Sequence, residues 1–361
     1  ISGSGSLEVT GNLRNGIATK NDLVITGGTI AVTAVNDGIR GKDSVSIAGG
    51  NLTIVAGNDG IKSNDSTDET TGWIAIDGGS FAIVSGCDAI QAETALTITG
   101  GTFDLSTGGG SAAAPQRYEA FGGGRGNWNT TTTTADTESD SKKGLKATTL
   151  SIQGGTFTLD TEDDALHANG DATVSGGTFT IQTGDDGIHA DGALLITDGT
   201  LEIVRSYEGL EGASVDIRGG DIRVTASDDG LNAAGGSDGD QAMGPFGRDT
   251  FRAGGGNSAY TIAISGGNVW VWADGDGLDA NGSLTLSGGT VVVHGPTNSA
   301  NSALDCDGTL TISGGTVIAS GSMATDQFGN PASTQVNLTV NYSQALPAGT
   351  VITLRNAAGE E

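Results

Sequence analysis

One pattern constrains this chain more than any other: apolar-x-apolar-x-Gly-Gly-x-apolar-x-apolar. It reads LVITGGTIAV from Leu23, VSIAGGNLTI from Val45, LTITGGTFDL from Leu96, LSIQGGTFTL from Leu150 and ATVSGGTFTI from Ala172. It continues through VDIRGGDIRV from Val215, IAISGGNVWV from Ile262, LTLSGGTVVV from Leu284 and LTISGGTVIA from Leu310. Five of the gaps between successive second glycines, such as Gly28 to Gly50 and Gly155 to Gly177, are 22 residues. Within each unit the apolar residues alternate, which is strand periodicity with one face buried. A second element, DGI or a close variant, follows the glycines at Asp37, Asp59, Asp88, Asp164, Asp186, Glu208, Asp229 and Asp276. Each repeat therefore offers three short strands and three bends. So short a unit cannot bury a core alone, but stacked units bury one continuously. The expected fold is all-β, a parallel β-helix of about eleven coils rising ~4.8 Å per coil, hence roughly 50 Å long. A sandwich of hairpins would not keep such a register.

Two interruptions, residues 108–143 and 235–258, read as loops extruded from the side of a helix spanning 1–325. The rhythm ends after Met323. Residues 326–361, with QVNLTVNY and TVITLRNAAGEE, read as two strands of another type, either a cap or the opening of a further domain.

Composition removes several alternatives. Glycine supplies 63 of 361 residues, but with five prolines and no Gly-X-Y period the chain is not collagen-like. The net charge of −27 repels phosphate backbones and anionic headgroups, so neither nucleic acid nor direct membrane insertion is expected. No apolar run approaches the ~18 residues of a membrane span, and Ile1 to Gly5 do not open a secretion signal. The chain reads as soluble, and either mature or cut from something longer. Cys87 and Cys306 fall seven coils apart, ~34 Å at strand spacing, too far to bond to each other. Cys306 stands where Ala190 and Ala280 stand in other coils and reads as a buried thiol.

Stacking places Asp37, Asp59, Asp88, Asp164, Asp186, Glu208, Asp229 and Asp276 in one row, with a break at Lys143. Asp163, Asp185 and Asp228 double it, Asp274 lies beside it, and Asp191 belongs to a second row of oxygens on the next bend. Two carboxylates ~5 Å apart repel by about 3 kcal/mol at an effective dielectric of 20, so the row needs protons or cations. Oxygen donors with backbone carbonyls at glycine bends suit Ca²⁺. The plainer reading is turn chemistry, since Asp before Gly bonds its own backbone. The stacked doublets favour calcium.

Repeats of the form LTIxGGTFxI followed by NDGIKSND from Asn58, DDALHANGD from Asp163, DDGIHADG from Asp185 and DGDGLDANG from Asp274 resemble the carbohydrate-binding parallel β-helix family of cellulolytic clostridia. That family is similar to calcium-dependent polysaccharide lyases. The resemblance spans roughly Leu13 to Ala319. It implies a right-handed helix, bound calcium, an extracellular or cell-surface place, and a cellulose or acidic-glycan ligand.

For the glycan, inward alternation at Val269 and Val271 turns Trp270 and Trp272 outward on one strand, ~7 Å apart, as a stacking platform. Arg223 precedes them on one neighbouring coil and His294 follows on the other. Equally open is that Phe246 and Phe251 of the 235–258 loop cover the two indoles. No residue is assigned a catalytic role. A lyase stays open through Arg40, Lys62 and Lys146, bases beside the acid row. So does an extracellular fibre built by copies of the chain stacking end to end through unpaired strand edges.

Overall fold

A computed structural model of the chain describes residues 1–115, 141–234, 259–297, 301–322 and most of 332–359. Among them there is no helix, and every strand pairing is parallel, as a stack of like repeats requires. Strands following the glycine bends, from Ser6–Gly11 through Thr102–Thr107 and Asn268–Ala273 to Thr316–Ser320, form one twelve-stranded sheet. The short strands after each DGI element, such as Ile61–Ser63, and those before each Gly-Gly pair, such as Ser44–Ile47, build a twenty-stranded sheet. The chain is a parallel β-solenoid.

Its core follows from register. In the twelve-stranded sheet Phe81 pairs with Phe103, Phe103 with Phe157 and Phe157 with Phe179. The four rings stack at centroid separations of 4.7, 4.6 and 4.5 Å, one per rung. Leu, Ile and Val continue the same column through Leu201, Ile222, Val269 and Val291, all fully buried. The bend before this strand needs glycine: Gly155 has φ +115°, and a Cβ there would lie 3.0 Å from the Phe157 ring.

Cys306 pairs with Ala280, and both cysteines are buried and outside any disulfide; burial pushes each thiol up to about 11. Residues 116–140 and 235–258, including Phe246 and Phe251, lie outside the described residues. The two strands expected in 326–361 do not form among the described residues there, where Val336, Leu338 and Val351 are largely exposed. Alternating apolar residues make a strand only when a neighbour accepts their backbone bonds. Here the chain docks on the last coil by a few contacts instead, with the Ile312 amide donating to Ser333 Oγ (3.0 Å) and Gln335 Nε2 to the Gly315 carbonyl (2.9 Å).

Candidate functional site

The bend before each DGI strand carries the acid row, and the structure brings it together as the repeat dictates. Backbone bonds between successive coils join Asp37, Asp59, Asp88, Lys143, Asp164, Asp186, Glu208, Asp229, Asp276 and Ser302. Lys143 and Ser302 thus occupy rungs of the row itself. Most of these side chains have one recurring task. Oδ1 of Asp59 accepts the Asp88 amide (3.0 Å), Asp88 that of Lys143 (2.7 Å), Asp164 that of Asp186 (3.0 Å), and Asp186 that of Glu208 (3.2 Å). Asp229 likewise accepts the amide of Asp276, and Asp276 that of Ser302. Asp37 accepts from Asn58 Nδ2 at 2.9 Å. One oxygen of each carboxylate is therefore engaged by the next coil.

The second oxygen faces the side chain three residues on. Asp59 Oδ2 meets Lys62 Nζ at 2.8 Å, Asp164 Oδ2 meets His167 Nδ1 at 2.9 Å, and Asp186 Oδ2 meets His189 Nδ1 at 3.3 Å. Lys143 Nζ reaches forward to Asp164 Oδ2 (2.8 Å) and to both oxygens of Asp163 (3.0 Å each). Burial pushes Asp59 up to about 7, with the Asp88 charge adding and Lys62 opposing. Asp163 is likewise raised, by burial and then by Asp164. For Asp164 burial acts in the same upward sense, but Lys143 and His167 outweigh it and hold the carboxyl well below its usual range.

The fit for a calcium ion therefore differs along the row. Asp163, Asp164 and Asp185 bring three carboxylate oxygens within 4.8 Å of one another. The Lys143 ammonium occupies that cluster, so an internal cation stands where a hard metal would. Around His167 and His189 the donors mix nitrogen with oxygen, which suits softer ions than calcium. Asp229, Asp276 and Asp279 form a purely carboxylate group, also within 4.8 Å, and are the set whose chemistry fits calcium. Asp279 was not among the sequence candidates; its signal is its place three residues after Asp276, the position Lys62, His167 and His189 hold in other coils. Asp228 lies one residue before Asp229, buried. Asp274 falls on an exposed position paired by its amide to Ala226, outside the doubled row. Asp191 accepts from His189 Nε2 at 3.1 Å, and Glu208 accepts from Asn232 Nδ2 at 3.1 Å. Among the bases considered for a lyase, Lys62 is buried on Asp59, Arg40 donates to Asn64 and Lys146 donates to Ser141 Oγ.

The aromatic strip lies on the outer face of the twelve-stranded sheet. Arg223 pairs in register with Trp270 and Trp272 with His294. The Arg223 guanidinium lies 4.3 Å from the Trp270 ring centroid, a cation–π contact. Trp272 and His294 stack with centroids 5.2 Å apart and planes 18° from parallel. That separation is close to one rung, so each indole has a face turned along the solenoid axis toward its neighbour. Trp272 remains 41% exposed and Ile318, two rungs on, 56%. All four residues picked from the sequence as a glycan platform thus meet in one outward strip.

Fold and site together define a parallel β-solenoid with a polar, partly cation-filled bend and an aromatic strip on the outer face of its twelve-stranded sheet. A family model for carbohydrate-binding domain-containing proteins matches residues 1–187 and again residues 185–337. The chain belongs to that family, as its repeats indicated. No curated protein and no solved structure matches it.

Proposed function

We propose that this protein is an extracellular polysaccharide-binding module, a right-handed β-helix of about eleven coils that grips glycan on the strip formed by Arg223, Trp270, Trp272 and His294. The single observation carrying this reading is the outward Trp272–His294 stack beside the Arg223–Trp270 pair, in a chain of a carbohydrate-binding family. Aromatic side chains supply apolar ring surface for sugar C–H faces, and Arg223 and His294 supply donors for hydroxyls. Right-handedness is the rule for parallel strand crossovers in one sheet.

In the same reading Asp229, Asp276 and Asp279 hold Ca²⁺, which lowers the local negative charge. A net charge of −27 repels acidic glycans, so binding of those requires calcium, whereas binding of a neutral glucan such as cellulose does not. The test is retention on insoluble cellulose and on polygalacturonate, with and without chelator. Trp270→Ala combined with Trp272→Ala is expected to lower retention at least tenfold on both; unchanged retention removes the strip as the site.

A second reading, end-to-end stacking into a fibre, is favoured by the Thr316–Ser320 strand, which among the described residues pairs only with Thr290–His294 and leaves one edge open. Electron microscopy distinguishes single rods from filaments.

A further inference from the structure

We propose that Asp186, His189 and Glu211 form a buried three-ligand site for a borderline divalent metal ion of the zinc class, separate from the all-carboxylate group at Asp229, Asp276 and Asp279. The register builds it: Asp186 and His189 lie three residues apart on one coil, and Glu211 pairs with His189 on the next. All three are buried, and their ligand atoms lie within 4.8 Å of one another. His189 Nδ1 is 3.3 Å from Asp186 Oδ2 and 2.5 Å from Glu211 Oε2.

Two features distinguish this cluster from a pile of acids. The first is Asp191, whose Oδ1 lies 3.1 Å from His189 Nε2. A carboxylate on Nε2 holds the ring so that Nδ1 faces Asp186 and Glu211, the arrangement found behind metal-bound histidines. The second is Glu211 Oε2, an oxygen shut away from water that lies close to Nδ1 without the alignment of a hydrogen bond. Buried polar atoms ordinarily find a partner, and one that does not is a place for an ion. One imidazole nitrogen with two carboxylate oxygens matches the ligands zinc takes, while calcium prefers oxygen alone. Asp186 can serve without losing its rung contact, because its other oxygen holds the Glu208 amide.

The test uses the full chain, stripped with chelator and titrated with zinc chloride by calorimetry. One equivalent bound is expected, unaffected by millimolar calcium. Zinc absorption spectroscopy on the loaded protein should show nitrogen and oxygen neighbours at about 2.0–2.2 Å and no sulfur. Glu211→Gln, which keeps size, and His189→Ala should each weaken binding at least tenfold, and Asp229→Asn should leave it unchanged. Absence of a stoichiometric site in the parent overturns the proposal. So does sulfur in the zinc shell, which would place the ion at Cys87 or Cys306, or undiminished binding in folded Glu211→Gln. None of these outcomes bears on glycan retention, which tests the aromatic strip alone.

Discussion

The ammonium of Lys143 lies 2.8 Å from Asp164 Oδ2, at the rung where the acid row is interrupted. The chain thus answers part of its own carboxylate column with a side chain. Both partners are buried, so removing one leaves a charge without compensation, which costs about 3–5 kcal/mol. Lys143→Met is expected to lower the thermal midpoint by many degrees, while Lys142→Ala, on the more exposed pair with Glu162, changes it little. Calorimetric melting of the two variants checks this.

Asp59 gives the row a pH dependence. Its folded pKa, about 7, lies above the ordinary 3.8, so the folded state holds the proton more tightly than the unfolded chain. Its contribution is fully present below about pH 4 and is lost as pH rises through 7. Between those values the parent should lose stability that Asp59→Asn does not, so the midpoint difference shifts in favour of the variant as pH rises. A gap that stays constant from pH 4 to 8 would remove the assigned role of Asp59.

Calcium should act at one end of the solenoid. If Asp229, Asp276 and Asp279 hold the ion, calcium at a hundred times its dissociation constant stabilises by about 2.7 kcal/mol. A chelator reverses the gain, and Asp276→Asn with Asp279→Asn abolishes it. Asp163→Asn, beside the Lys143 ammonium, leaves the calcium response intact. Equal melting of the parent with calcium and with chelator contradicts the calcium assignment.

The phenylalanine column tests the packing. Phe157 stacks between Phe103 and Phe179, and Phe157→Ala should cost about 3–5 kcal/mol by opening a cavity in the middle of the stack. Phe157→Leu, which matches Leu201 further along the same column, should cost far less. Denaturant midpoints with unchanged slope verify both.

Much of this was legible in the residues. Alternation around Gly-Gly fixed which side chains of Val269 to Trp272 face in and out, and the repeat spacing placed Cys306 over Ala280. The acid row was also legible as a row, but its chemistry was not. Sequence shows that Asp59 and Asp88 stack; it does not show that one oxygen of Asp59 is taken by the amide above. Nor does spacing reveal that Lys143, which looked like an interruption, fills a rung and pairs with two neighbouring carboxylates. The signal was present three residues past each acid, where Lys62, His167 and His189 recur, but their burial depends on the coil closing over them. The tail around Val336 misled for the converse reason: alternation is local, and a strand needs a neighbour.

The proposed function stands on glycan being held at the outward aromatic strip. A crystal structure of the chain soaked with a cello-oligosaccharide tests it most directly. Sugar density against Trp272 and His294, within reach of Arg223, is the predicted result. Density at any other surface, with this strip bare, would contradict it.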